Sequence, residues 1–165
     1  MPGNKEKLMN IRLFKPYVGQ EELDSIKDTF ERGWIGLGPK VSELEQKWST
    51  YIGGSFSLAV NSATAALHLA VTAFNFPKGK KVLVPAITFV STANAALYNG
   101  LTPVFVDVDP ITLQMDLCDL KKKYDNDCVA IIPVHLGGYP VDIDNILDFA
   151  KEKGLKVIED CAHCA

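Results

Sequence analysis

From residue 55 onward, short apolar runs closed by turn or polar residues alternate with stretches of helical pattern, and this alternation constrains the fold more than any other feature. The runs predict strands at Ser57–Val60, Val82–Val84, Val104–Val106, Val129–Val134 and Lys156–Ile158. Between them the pattern predicts helices at about Ser62–Phe74, Ser91–Leu97, Leu117–Tyr124 and Ile143–Lys153. The last has Asp142 as its cap and Gly154 after its end. Strands that are apolar throughout are buried on both faces, and intervening helices supply the crossovers of parallel pairing. The expectation is an α/β fold, a mostly parallel sheet with helices on both faces. Ligands bind such sheets outside the carboxyl ends of the strands.

Two helices precede the alternation. Leu23, Ile26 and Phe30 recur at helical spacing within Gln20–Arg32, and Gly33 follows as a stop. The second helix is expected to start at Ser42 with a Ser-x-x-Glu reciprocal cap to Glu45, placing Val41, Leu44, Trp48 and Tyr51 on one stripe. In the glycine-rich loop between them, Trp34 either pins the loop to the core or faces a ligand. No repeat or low-complexity linker marks a domain boundary.

Composition excludes several classes. Among 165 residues, 47% are hydrophobic and 22% charged, which suits a globular chain rather than a disordered one. A formal net charge of −3 argues against a nucleic-acid or anionic-membrane partner. No apolar run approaches the roughly 20 residues that span a bilayer. Met1–Asn10 is polar and lacks the apolar core of a signal peptide, so the expected location is cytoplasmic. The four cysteines, Cys118, Cys128, Cys161 and Cys164, then read as free thiols.

Four strand ends carry unusual chemistry. At Asn61-Ser62-Ala63-Thr64 a strand gives way to an Ala-rich helix, whose free N–H groups and positive end form a natural phosphate seat with two hydroxyls. Asn61 or Ser62 simply capping a buried helix explains the same residues, and His68 within that helix reads as a packed core histidine. The glycine patterns of the nucleotide-binding loops are absent. In Pro85-Ala86-Ile87-Thr88-Phe89, the Phe89 ring could stack on a flat cofactor or belong to the core. His135, beside Gly137 and Gly138, could act as an acid or base, line a pocket, or be satisfied by loop carbonyls. In Glu159-Asp160-Cys161-Ala162-His163-Cys164, an acid ends a buried strand and needs a partner. Cys161 and Cys164 could there form a thiol redox pair; a metal cluster is disfavoured because the crowded side chains cannot all face one ion.

The ordered landmarks resemble the N-terminal half of the DegT/DnrJ/EryC1/StrS family, the pyridoxal-phosphate-dependent (PLP-dependent) nucleotide-sugar aminotransferases of type I fold. They are Gly33-Trp34, Gly38-Pro39-Lys40-Val41, Asn61–Leu67, Pro85–Phe89, Phe105–Pro110, Pro133–Gly137 and Glu159–His163, and the resemblance runs from about Ile11 to Ala165. It implies that Ser62, Ala63 and Thr64 hold the cofactor phosphate, that Phe89 stacks on the pyridine ring, and that Asp160 pairs with the ring nitrogen. Relatives often carry glycine where this chain has Ala63. His163 matches a Gln-or-His position beside the cofactor phenol oxygen, while Trp34 and His135 become substrate-side candidates.

By the same resemblance, residues 1–54 are a helical segment and residues 55–165 the first part of an incomplete type I large domain, without the C-terminal small domain. The family's Schiff-base lysine lies beyond Asp160. Lys78, Lys80, Lys81 and Lys121 to Lys123 read as surface lysines, so this chain alone is expected to be inactive. The complete homodimeric enzyme would move an amino group between glutamate and a keto-sugar nucleotide. The alternatives are a non-catalytic PLP-binding or assembly fragment and a thiol redox protein using Cys161 and Cys164.

Overall fold

A computed structural model describes residues 15–54 and 56–164. Met1–Asn10 and the outer limits of the resemblance, Ile11 and Ala165, lie outside them. The chain divides into two compact units, one ending at Ala59 and one starting at Val60.

The first unit contains α1 (Gln20–Glu31) and α2 (Pro39–Tyr51). The cap expected at Ser42 is replaced by an earlier start: Pro39 occupies the first turn after Gly38. Proline suits that position because its φ is already helical and its missing N–H would have been unpaired. Glu45 is thereby released from capping, and its Oε1 accepts the Ala59 N–H at 2.9 Å. Ser57 Oγ likewise meets Ser49 Oγ at 2.8 Å. These side-chain bonds accompany a second correction, since the run Ser57–Val60 forms no strand. Among the described residues no strand lies alongside it, and the apolar Phe56 and Leu58 remain exposed.

The second unit holds α3 (Ala63–Ala73), β1 (Lys81–Pro85), α4 (Ser91–Tyr98), β2 (Thr102–Val106), α5 (Leu117–Lys123), β3 (Cys128–Ile131), α6 (Ile143–Lys153) and β4 (Lys156–Val157). The four strands form one sheet in the order β2-β1-β3-β4, every pair parallel. Alternation along β1 divides the core. Val82 and Val84 pack with Leu67 and Val71 of α3 and with Ala93 and Ala96 of α4. Leu83 packs on the other side with Leu120 of α5 and with Ile146 and Phe149 of α6. Both faces are therefore covered, as parallel pairing requires.

The run expected to be a strand through Val134 ends at Ile131 in the structure. Pro133 cannot donate to a ladder, and only Val134 continues, as an isolated parallel bridge to Asp160. Asp142 precedes α6 as expected but caps no backbone N–H; its Oδ2 accepts from Asn145 Nδ2 instead. Gly154 ends α6 with φ +69°, a left-handed conformation that favours glycine. His68 is corrected too: it is exposed rather than packed in the core, its ring lying 5.4 Å from that of Tyr98. No helix among the described residues is long and apolar enough to cross a membrane.

Candidate functional site

Strand order locates the site. The connection from β1 runs through α4 to β2 on one side, and that from β3 runs through α6 to β4 on the other. The carboxyl ends of β1 and β3 therefore flank a topological switch point, where a crevice opens in sheets of this kind. The loop after β1 brings Thr88, Phe89 and the start of α4 to this end of the sheet, and the segment after β4 brings Asp160.

Asp160 is only 4% exposed. Its backbone is clamped beside the end of β3, donating to Pro133 O at 2.9 Å and accepting from His135 N at 3.2 Å. Its carboxylate is anchored at both oxygens. Oδ2 accepts from the Thr92 hydroxyl at 2.7 Å, and Oδ1 accepts from the Ala162 N–H at 3.1 Å. These donors offset part of the cost of burying a charge.

A second cluster lies where two helices begin. Ser62 caps α3, its Oγ accepting from the Ala65 N–H at 3.2 Å. The N–H groups of Ala63 and Thr64 precede the first intrahelical acceptor and are directed out of the helix end. The Thr64 and Ser91 hydroxyls are 2.6 Å apart, tying the first turn of α3 to that of α4. Ser91 and Thr92 are neighbours, so adjacent hydroxyls on α4 touch both the helix-end seat and the buried carboxylate. Sequence reasoning missed both residues. Their signal, hydroxyls at a strand-to-helix junction, was present but shared with ordinary caps.

Phe89 is 68% exposed, which overturns its reading as a core phenylalanine and leaves a flat face free at the strand end. His163 Nδ1 accepts the Gly137 N–H at 3.1 Å, so in the neutral ring the proton resides on Nε2, a donor with no partner among the described residues. The loop approaches closely: Gly138 has φ +81°, and a Cβ there would sit 3.1 Å from His163 O. His135 is 7% exposed. Its Nδ1 accepts the Val141 N–H at 3.2 Å and its Nε2 lies 3.0 Å from Glu159 Oε2, partners other than the loop carbonyls considered from sequence.

One metal-like grouping exists among the described residues: ligand atoms of His135, Glu159 and Cys161 lie within 4.8 Å of one another. The Val141 N–H occupies the Nδ1 lone pair, leaving the proton on Nε2, the nitrogen that faces Glu159. A metal-binding imidazole usually shows the reverse arrangement, donating from its second nitrogen. The four cysteines are free thiols.

In the first unit Trp34 is 60% exposed rather than pinned in a core, and its Nε1 donates to Leu37 O at 2.7 Å. A Cβ on Gly38 would sit 2.5 Å from the indole Cδ1, so the loop closes over a position that needs glycine. Gly38→Ala is expected to displace the ring and shift tryptophan emission towards that of a more solvated indole. An unchanged spectrum would show that the loop absorbs the methyl group.

The model of the DegT/DnrJ/EryC1/StrS aminotransferase family matches residues 16–165. The spore coat polysaccharide biosynthesis protein SpsC of Bacillus subtilis is 42% identical over 148 residues, covering 90% of this chain and 38% of SpsC. Spr1654 of Streptococcus pneumoniae, assigned as a sugar aminotransferase and solved in a PLP form, is 31% identical with a TM-score of 0.86. The match covers 94% of this chain and 43% of that one. Its PMP form matches equally well. A GDP-4-keto-6-deoxymannose-3-dehydratase is 25% identical with a TM-score of 0.87, covering 93% of this chain and 42% of that one. The chain thus spans about two fifths of the length of these relatives.

Proposed function

The chain belongs to the DegT/DnrJ/EryC1/StrS aminotransferase family, and on that premise we propose that it forms the cofactor-cradling part of a PLP-dependent enzyme that transfers an amino group from glutamate to a keto-sugar nucleotide. Family and neighbours support a PLP-dependent sugar aminotransferase or dehydratase. The aminotransferase is favoured because Spr1654 shares 31% identity and the dehydratase 25%. The buried, doubly anchored carboxylate of Asp160 at the switch point carries the proposal.

The donor set fits the cofactor. A phosphate suits the outward N–H groups of Ala63 and Thr64, the Ser62 and Thr64 hydroxyls and the positive end of α3. A flat ring suits the exposed face of Phe89. A protonated ring nitrogen suits the Asp160 carboxylate, whose two oxygens are held in place by the Thr92 hydroxyl and the Ala162 N–H. His163 would offer its Nε2 proton to the phenol oxygen. When bound, the cofactor supplies a cationic ring that accepts electrons released from the substrate.

His135, buried with both nitrogens engaged, holds the loop after β3 against Glu159 and Val141; Trp34 is the better substrate-side candidate. Of the lysines proposed as surface residues, Lys80 pairs with Asp127 and Lys123 with Asp119. Lys81 opens β1, at the end of the sheet opposite Asp160. Homodimerisation and a cytoplasmic location belong to the same proposal.

The chain is expected to bind PLP one to one, and to bind pyridoxal, which lacks the phosphate, at least about tenfold more weakly, the range of one or two charge-assisted hydrogen bonds. Thr64→Val together with Ser62→Ala should reduce that preference. Equal affinity for the two compounds would remove the phosphate seat from the reading.

A further inference from the structure

We infer that Thr92 is a positioning residue for the cofactor's ring nitrogen, acting through Asp160, and that Thr88 orients Thr92. The inference rests on the proposed role of Asp160 and extends it to residues with no assigned task.

A threonine hydroxyl carries one proton and can accept further bonds. Thr92 Oγ1 lies 2.7 Å from Asp160 Oδ2, and an ionised carboxylate only accepts, so the Thr92 proton points at Asp160. Thr88 Oγ1 lies 2.8 Å from Thr92 Oγ1. With the Thr92 proton committed, Thr88 must be the donor. The two hydroxyl dipoles align towards the carboxylate, and bonds in such a chain strengthen one another.

The surroundings make this alignment consequential. Thr92 is 0% exposed, so no water can replace its hydroxyl without rearrangement. Thr92 fixes one carboxylate oxygen and the Ala162 N–H the other, which together fix the plane of the group. A carboxylate held in that plane is what can pair with a protonated ring nitrogen. Thr92 also sits beside Ser91, whose hydroxyl meets Thr64 in the phosphate seat. The first turn of α4 thus sets the spacing between the seat and the carboxylate.

The test uses the 165-residue chain loaded with PLP carrying nitrogen-15 in its ring, whose NMR shift reports whether that nitrogen is protonated. Thr92→Val keeps the shape and removes the hydroxyl. It is expected to move the shift towards the unprotonated value and to weaken PLP binding about tenfold, the scale of one hydrogen bond to a charged group. Thr92→Ser should restore both, and Thr88→Val should move the shift in the same direction by less. Asp160→Asn should give the largest change. A wild-type shift in folded Thr92→Val, with Asp160→Asn altered, overturns the role of Thr92 and leaves that of Asp160 standing. If Thr92→Val does not fold, a wild-type shift in Thr88→Val overturns the relay. An unaltered Asp160→Asn, or no PLP bound by the wild-type chain, overturns the cofactor reading beneath it.

Discussion

Leu83→Ala is expected to destabilise the second unit by about 2–5 kcal/mol, the range for a fully buried leucine that leaves a cavity. Leu83 is 0% exposed at the middle of β1, with β2 on one side and β3 on the other. Its side chain meets Leu120, Ile131 and Ile146, so three elements lose packing together. The strand cannot collapse into the space without breaking its parallel ladders. Phe30→Ala is the control. It removes a larger side chain, but Phe30 is exposed on α1, and the change should stay within about half a kcal/mol. Urea titration of the two variants decides the matter: comparable midpoints would mean that β1 is not the packed centre described above. Thr92 and Phe89 follow β1 directly, so Leu83→Ala should also lower PLP affinity under conditions that partly unfold the chain.

Elements whose local signals agreed with their packing were legible in the sequence. The helix Ile143–Lys153 is observed at its predicted bounds because an apolar stripe, a polar residue before it and a glycine after it all specify the same ends. β1 and β2 were visible as apolar runs. The misplaced start of α2 shows the opposite case. Ser42 and Glu45 make a valid local cap, but Pro39 supplies a helical φ three residues earlier, and Glu45 finds the Ala59 N–H instead. Ser57–Val60 failed for a non-local reason: an apolar run becomes a strand only beside another strand.

The candidate site drew notice in the sequence through its chemistry, and the side chains that support it did not. Phe89, Asp160 and His163 stand after strand ends, and Ser62 and Thr64 at the start of a helix, where composition departs from core patterning. Thr88, Ser91 and Thr92 were hidden because a hydroxyl at a helix start is ordinary. Only the approach of Asp160, 68 residues further along the chain, makes Thr92 distinctive. His68 illustrates the limit of periodicity, which marks a helix as apolar without fixing which residue faces out.

Cys161 is expected to alkylate at least about tenfold more slowly than an ordinary thiol near pH 8, the loss in thiolate fraction being partly offset by the greater nucleophilicity of a more basic thiolate. Burial around the sulfur is the largest influence, followed by Cys164 and by the negative charges of Glu159 and Asp160, and together they push the thiol from 9.0 up to about 12. Only the thiolate reacts. At about pH 8, a thiol titrating near 9.0 is roughly one tenth ionised, and one near 12 roughly one ten-thousandth. The rate should climb about tenfold per pH unit and level off only near 12. Because folding raises this acid's pKa, the native chain holds the proton more tightly than the unfolded chain. The associated stability is present below about pH 9 and is lost as pH rises towards 12. Iodoacetamide labelling followed by peptide mass spectrometry measures the rate, with Cys118, a residue exposed as Cys161 is, serving as an internal reference. A Cys161 rate matching that of Cys118 at neutral pH would favour the redox alternative, which needs an attacking thiolate. A slow Cys161 leaves the segment Glu159–Cys164 to serve through Asp160 and His163, with a thiol that stays protonated beside the carboxylate.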